Sequence, residues 1–198
     1  MKKIITWSFI TLVLTLIVAV VPTDAEARIY EDTVRLHILA ASDSEEDQEL
    51  KYALRDALLN RYSDVLSENT DADGATERLT ELLPDIEKFS EQFVSERGYS
   101  YDVRAVIGTE WYDTRDYNDF SLPMGYYTSL RIIIGEGTGK NWWCVMYPPL
   151  CTDIATGGAP SKDALGEYSS EERTLISGGK YKLKFKSLEI ISRAFRKK

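Results

Sequence analysis

The chain has 198 residues, 43% hydrophobic and 28% charged, with a net charge of −8. That length fits one domain of ordinary size with an appendage, and that balance excludes a disordered chain. Two cysteines and one histidine are too few for a structural zinc site.

Lys2 and Lys3 precede an apolar run of 18 residues from Ile4 to Val21, which Pro22 breaks and Ala25-Glu26-Ala27 follows. A positive start, an apolar stretch and an A-x-A site predict a secretory signal peptide over residues 1–27, cut after Ala27. The run also sits at the lower limit for spanning a bilayer, so an uncut anchor is the competing reading. Either way the rest of the chain is expected to act outside the cytoplasm.

Residues 28–151 are expected to form the main domain. Arg28 to Asp32 reads as a short lead. Val34 to Ala40 alternates as a strand, with Val34, Leu36, Ile38 and Ala40 on one face and Arg35, His37 and Leu39 on the other. Asp43 or Ser44 is suited to cap the next helix, with Glu46 or Asp47 returning the bond. Leu50, Ala53, Leu54, Ala57, Leu58, Tyr62 and Val65 form its apolar stripe to about Leu66. A second helical stripe follows the turn at Asn69–Gly74: Leu79, Leu82, Leu83, Ile86, Phe89, Phe93 and Val94. Pro84 inside that stripe predicts a break or kink at Leu83, and Gly98 ends the pattern.

The remainder is mainly strand. Tyr101, Val103, Ala105 and Ile107 alternate with Asp102, Arg104 and Val106; Trp111 to Pro123 is a polar, aromatic connection with room for a short strand. Tyr126 to Ile134 is a strong strand whose end, Ile132-Ile133-Ile134, is apolar on both faces, which predicts a central position. Gly135 to Gly139 then reads as the turn of a hairpin with Asn141 to Tyr147. Residues 152–179, rich in Gly, Ser, Thr and Asp, read as a loop or partly ordered insertion. Residues 180–198 form a basic extension, a strand over Lys180–Lys186 and then a short helix. Its eight basic residues face one acid, Glu189, giving +7, and residues 1–27 are neutral, so Arg28 to Gly179 carries −15. An acidic body argues against nucleic acid as a partner. The extension either packs on that body, as the alternation of Tyr181, Leu183 and Phe185 with lysines favours, or touches anionic membrane lipid or wall polymer. The fold class expected is α+β, two or three helices packed on one face of a mostly antiparallel sheet.

No catalytic constellation emerges. Gly135-x-x-x-Gly139-Lys140-Asn141 has three residues between its glycines where a P-loop needs four, and Asn141 where the loop needs Ser or Thr. His37 is the sole histidine and reads as structural. Ser42 to Asp47 has acids but neither the glycine nor the distal glutamate of a calcium loop. Neither a metal nor a cofactor is expected.

The densest run is Asn141-Trp142-Trp143-Cys144-Val145-Met146-Tyr147-Pro148-Pro149-Leu150-Cys151, with two of the four tryptophans and both cysteines. In an oxidising compartment Cys144 and Cys151 are a disulfide candidate, worth ~2–3 kcal/mol for so short a loop. Trp142, Trp143, Tyr147, Pro148, Pro149 and Leu150 then form either a rigid recognition turn or ordinary strand packing. Strand alternation puts Trp142 and Trp143 on opposite faces.

Val34-Arg35-Leu36-His37-Ile38-Leu39-Ala40-Ala41-Ser42-Asp43-Ser44, Asp47-Gln48, Leu50-Lys51 and Arg55-Asp56-Ala57 resemble the N-terminal signature of the stage II sporulation protein R family. Gly125-Tyr126-Tyr127, Leu130-Arg131, Gly135-Glu136-Gly137 and Asn141 to Cys151 resemble its second signature, and Leu83-Pro84-x-Ile86-Glu87 fits between them. The resemblance implies a protein exported from the forespore into the space between forespore and mother cell. There it would activate a membrane-embedded aspartic protease that processes the precursor of sigma factor E, as a ligand and not an enzyme. The turn from Trp142 to Leu150 and the Asp43 cap region are the expected contacts with that partner. The rival readings are a wall- or lipid-binding module and a small carboxylate-dependent hydrolase.

Overall fold

Period-two and period-3.6 patterns meet in one layered domain. The computed structural model describes residues 2–20, 23–67, 71–117, 120–150 and 164–177. Helix α1 (Lys2–Val20) carries the N-terminal apolar run, with Ile4, Trp7, Phe9 and Leu12 exposed. Among the described residues no helix is long and apolar enough to cross a membrane. Helix α2 (Asp24–Glu31) replaces the expected lead. Thr23 and Glu26 close a capping box at its start, the Thr23 hydroxyl accepting from the Glu26 N–H and Glu26 accepting from the Thr23 N–H. Two orphan donors are thereby satisfied, which lets so short a helix form.

The main sheet contains β1 (Val34–Leu39), β2 (Val103–Tyr112), β5 (Gly125–Ile134) and β6 (Asn141–Tyr147), in the order β2-β5-β1-β6. The expected central strand is central. β5 pairs antiparallel with β2 and parallel with β1, and β1 pairs antiparallel with β6. Between β2 and β5 runs a strap carrying β3 (Arg115–Asp116) paired with β4 (Ser121–Leu122).

Helices α3 (Glu45–Ser67) and α4 (Ala72–Glu96) cover one face. Leu50, Leu54 and Leu58 of α3 and Leu79, Ile86 and Val94 of α4 pack on Leu36, Ile38, Leu130 and Ile132. Each such side chain contributes about 1.5–3 kcal/mol when fully buried. The break expected at Pro84 does not occur; α4 runs on as one helix. Leu79 and Ile86, either side of the exposed proline, are both buried on the same sheet. That shared burial offsets a proline cost of about 3 kcal/mol.

The opposite face is also covered. Ile29 of α2, Phe120 and Leu122 of the strap, Leu150, and Tyr168, Leu175 and Ile176 pack there on Tyr112, Tyr127 and Val145. The last three belong to a segment expected to be a loop or partly ordered insertion. Residues 164–177 instead form a 3₁₀ turn (Ala164–Glu167) and helix α5 (Ser170–Ser177). Arg28 of α2 pairs with Glu171 at 2.7 Å and Glu172 at 3.0 Å. The strand and helix expected after Lys180 lie outside the described residues.

The expected hairpin between β5 and β6 does not form, because β1 lies between them. Strands two places apart are separated by about 9.6 Å, so residues 135–140 step over the end of β1. The glycines serve that crossing. Gly135 and Gly137 have φ of +56° and +62°, which favours glycine. The Gly139 N–H donates to the Ala40 carbonyl at 3.0 Å, and a Cβ there would collide with the Ser42 carbonyl. Gly139→Ala is therefore expected to destabilise the domain by about 2 kcal/mol or more, since backbone cannot yield cheaply. Gly108→Ala, into open space, should change stability by no more than about 0.5 kcal/mol. Urea unfolding of both variants checks the contrast.

Candidate functional site

The crossing brings together the two regions singled out in the sequence. Ser44 caps α3, its hydroxyl accepting from the Asp47 N–H at 3.2 Å. Asp43 is used differently, its carboxylate accepting from the Lys140 N–H at 2.6 Å. Lys51, fully buried, donates to Gln48 Oε1 at 2.6 Å and to the Lys140 carbonyl at 3.1 Å. Burial, then the neighbouring Arg55, hold its pKa below the ordinary lysine value. Asp43 thus meets the start of the Asn141 run at Lys140, and both act to fasten β6 to the entry of α3.

Along β6 the tryptophans separate as alternation requires. Trp142 packs on the helix side, with the Arg55 guanidinium 5.0 Å from its ring centre. Trp143 lies on the opposite face, stacked on His37 at 3.6 Å, with the Arg115 guanidinium 4.7 Å from its ring centre. Both are half-buried. Tyr147, Pro148 and Leu150 are buried and Pro149 is half-buried, and the Tyr147–Pro148 peptide is cis. The side chains of this turn face inward. The expected bridge is corrected at Cys144, whose thiol is free and fully buried among the helix-side residues. Leu150, beside Cys151 in sequence, is buried in the cluster on the other face, so the sheet stands between that cluster and Cys144. Cys151 itself lies outside the described residues.

Beneath the strap lies a buried polar and aromatic hub. Its centre is Arg35, fully buried on β1. The guanidinium sits 4.2 Å from the Tyr112 ring centre and 5.1 Å from that of Tyr127. Its Nη2 donates to the Tyr117 hydroxyl at 2.8 Å, and its Nε to the Cys144 carbonyl at 3.3 Å. No carboxylate is among these partners, and Nη1 has none. Burial, opposed by the nearby guanidinium, raises the pKa of Tyr127 well above its ordinary value. Burial shifts Tyr112 the same way, so both rings are neutral, and the buried cation is held by π faces, a hydroxyl and a carbonyl.

His37, two residues on, donates from Nδ1 to Glu110 at 3.0 Å; the carboxylate can only accept, which fixes that tautomer. Glu110 also receives Arg131 at 3.5 Å. Burial lowers the His37 pKa, against the opposing hydrogen bond and charge of Glu110 and the Asn141 side chain, which also reaches the ring. Four buried polar side-chain atoms among the described residues lack partners: Arg35 Nη1, His37 Nε2, Thr114 Oγ1 and Arg115 Nε. All four belong to β1's strap-facing side or to the strap. No group of three or more His, Cys, Asp or Glu side chains among the described residues is placed to hold a metal ion.

Sequence reasoning placed Arg35 and His37 on one face but gave the hub no role. The available signal was a pair of basic residues at period two on a strand whose other face is wholly apolar. Glu110, Tyr112 and Arg115 carried no such signal, because their partners are distant in sequence.

The fold and this hub define a class of their own: a small α+β domain, two long helices on one face of its sheet and an arginine–aromatic layer under a strap on the other. The chain belongs to the stage II sporulation protein R family, whose family model matches residues 30–156. It is similar to the stage II sporulation protein R of Bacillus subtilis (strain 168), 30% identical over 144 residues, which are 73% of this chain. The match spans 64% of that relative's length. No solved structure matches. Membership implies a role in sporulation.

Three measurements test this geometry. Cys144 should resist a thiol reagent in the native protein and react fully on unfolding without reductant, read by intact mass. Arg35→Ala should cost about 3 kcal/mol or more by leaving a cavity. Arg35→Met should cost at least about 1 kcal/mol less in the same urea titration, because the cation gives up no carboxylate. The lowered His37 pKa means that the unfolded chain binds a proton more readily. Its contribution is complete above the unfolded value of about 6.5 and is lost as pH falls through the folded value, by at most about 1.4 kcal/mol per pH unit. Between pH 7.5 and 5.5 the wild-type urea midpoint should fall more than that of His37→Gln.

Proposed function

We propose that the chain is an exported signal that passes from forespore to mother cell. In the space between the two membranes it activates a membrane-embedded aspartic protease that processes the precursor of sigma factor E. It does so as a ligand, with no chemistry of its own. The observation that carries the reading is the family match over residues 30–156, which takes in both long helices and all four strands of the main sheet. A second support is the use of the chemistry-bearing residues: Arg35, His37, Glu110 and Asp43 are engaged in joining elements. The inward-facing turn Trp142 to Leu150 supports a contact made by the surface around it, with Trp143 as its half-buried edge. The leader fits export, and the rest of the chain then works outside the cytoplasm.

The test is reconstitution of the cognate protease and the sigma-factor precursor in membranes, with and without the full chain. Added chain should raise precursor cleavage at least tenfold, read on a gel. Equal cleavage with and without it would sink the signalling reading.

A further inference from the structure

The unpartnered polar atoms beneath the strap are concentrated at one seam. Arg35 Nη1, His37 Nε2, Thr114 Oγ1 and Arg115 Nε are each buried without a hydrogen bond. A buried polar atom left unpaired is costly, so three of them, Arg115 Nε, Thr114 Oγ1 and His37 Nε2, point to a ligand. Arg35, His37 and Arg115 flank two touching rings: Tyr112 and Trp143 lie 4.9 Å apart, edge to face. Arg35 covers Tyr112, while His37 and Arg115 lie against Trp143. Arg115 and Trp143 are half-buried; His37 and Thr114, next to Arg115 in the chain, are more deeply buried.

The chemistry of the four atoms narrows the ligand. Two are N–H donors on permanent cations, suited to an anionic oxygen. His37 Nε2 is an acceptor, because Nδ1 carries the proton toward Glu110, and the Thr114 hydroxyl does either. Among the described residues the nearby acids are engaged: Glu110 by His37 and Arg131, Asp113 by the Trp111 indole, Asp116 by the Ser121 hydroxyl. A simple anion satisfies only the donors. A peptide brings carboxylate oxygens and backbone N–H groups together.

We propose that the seam between the strap and β1, at Arg115, Thr114, His37 and Trp143, binds an acidic peptide segment of the partner. A carboxylate seats on Arg115 beside the Trp143 ring, and a peptide N–H reaches His37 Nε2. Arg35, fully buried, contributes its charge and not a contact. This rests on the signalling reading only in assigning the segment to the activated protease.

The probe is a capped tetraglutamate peptide, compared with capped tetraglutamine, titrated into the full chain. Binding is read from the Trp143 indole and His37 ring resonances. Tetraglutamate should shift both and tetraglutamine neither. Arg115→Gln should weaken binding at least tenfold. Arg78→Gln, on the exposed side of α4, should stay within twofold. Thermal melting checks that each variant is folded, and Arg115→Lys, which keeps the charge without the planar fork, should weaken binding threefold or more. No binding, equal binding of tetraglutamine, or full affinity in the Arg115 variants would overturn the site. In the cleavage assay, Arg115→Gln should lose most of the activation. Full activation by a variant that no longer binds tetraglutamate would overturn the assignment to the protease. Failure of the wild-type chain to activate would instead strike the signalling reading and leave the peptide result standing.

Discussion

One buried cation sets the terms for a whole side of the domain. Arg35 sits at the centre of the sheet, fully enclosed, and among the described residues its hydrogen bonds go to a hydroxyl and a carbonyl. Moving a guanidinium out of water costs several kcal/mol even after relaxation, so its surroundings must be built to receive it. Tyr112 and Tyr127 supply ring faces, Tyr117 a hydroxyl, and Cys144 a carbonyl. Those groups come from β2, β5, the strap and β6. The strap, α2 and α5 exclude water over them by packing Phe120, Leu122, Ile29 and Ile176 around the same tyrosines. Remove the arginine's cage and that layer has no reason to take this form; remove the layer and the arginine faces solvent.

The second constraint is the position of β1 between β5 and β6. Because helices cover one face of the sheet and the strap, α2 and α5 cover the other, Arg35 and His37 on β1 are enclosed and do not face solvent. The same topology decides the use of the glycines. A hairpin would have needed only a tight turn, but stepping over β1 requires the backbone of Gly139 to lie against Ser42. Asp43, Lys51 and Thr138 then fix the crossing by binding Lys140 and Ala41. Residues that looked like a cap or a phosphate loop in sequence are parts of one junction between α3 and β6.

What could be read from the sequence follows the range of the forces involved. Alternation in Val34 to Leu39 and the helical stripe from Leu50 to Tyr62 are local, and they gave the layers and the central place of Ile132 to Ile134. The opposite faces of Trp142 and Trp143 followed from the same rule. Pairing is not local: nothing in Tyr126 to Tyr147 says that residues 34–39 will enter between the two strands. The continuity of α4 through Pro84 depends on burial against the sheet, which outweighs the local cost. The unbridged Cys144 is of the same kind. A short spacing allows a bridge, whereas the thiol of Cys144 is free and buried among the helix-side residues. Arg35 was visible as an oddity on an apolar strand, but its cage comes from four other segments.

The leader brings a conflict between two uses of the same residues. The bond after Ala27 lies inside α2, where the Ala27 N–H donates to the Thr23 carbonyl at 2.9 Å. Glu26 is buried in the capping box, and the adjacent Arg28 is held by Glu171 and Glu172. Peptide substrates that bind by strand addition do so extended, through main-chain hydrogen bonds; a helical, docked segment cannot present itself that way. Cleavage at this bond and the docked α2 therefore exclude one another in time. A cut made before folding removes Thr23 and Glu26 and leaves Arg28 to Glu31 without their cap. The side chains of Ile29 and Tyr30 survive the cut, and they are the ones that reach furthest into the domain. Ile29 is fully buried among the strap-side residues, and the Tyr30 hydroxyl donates to the Met124 carbonyl at 3.0 Å. Its ring lies so close to Gly125 that a Cβ there would be 2.6 Å away. The family match begins at residue 30, one residue after the buried Ile29.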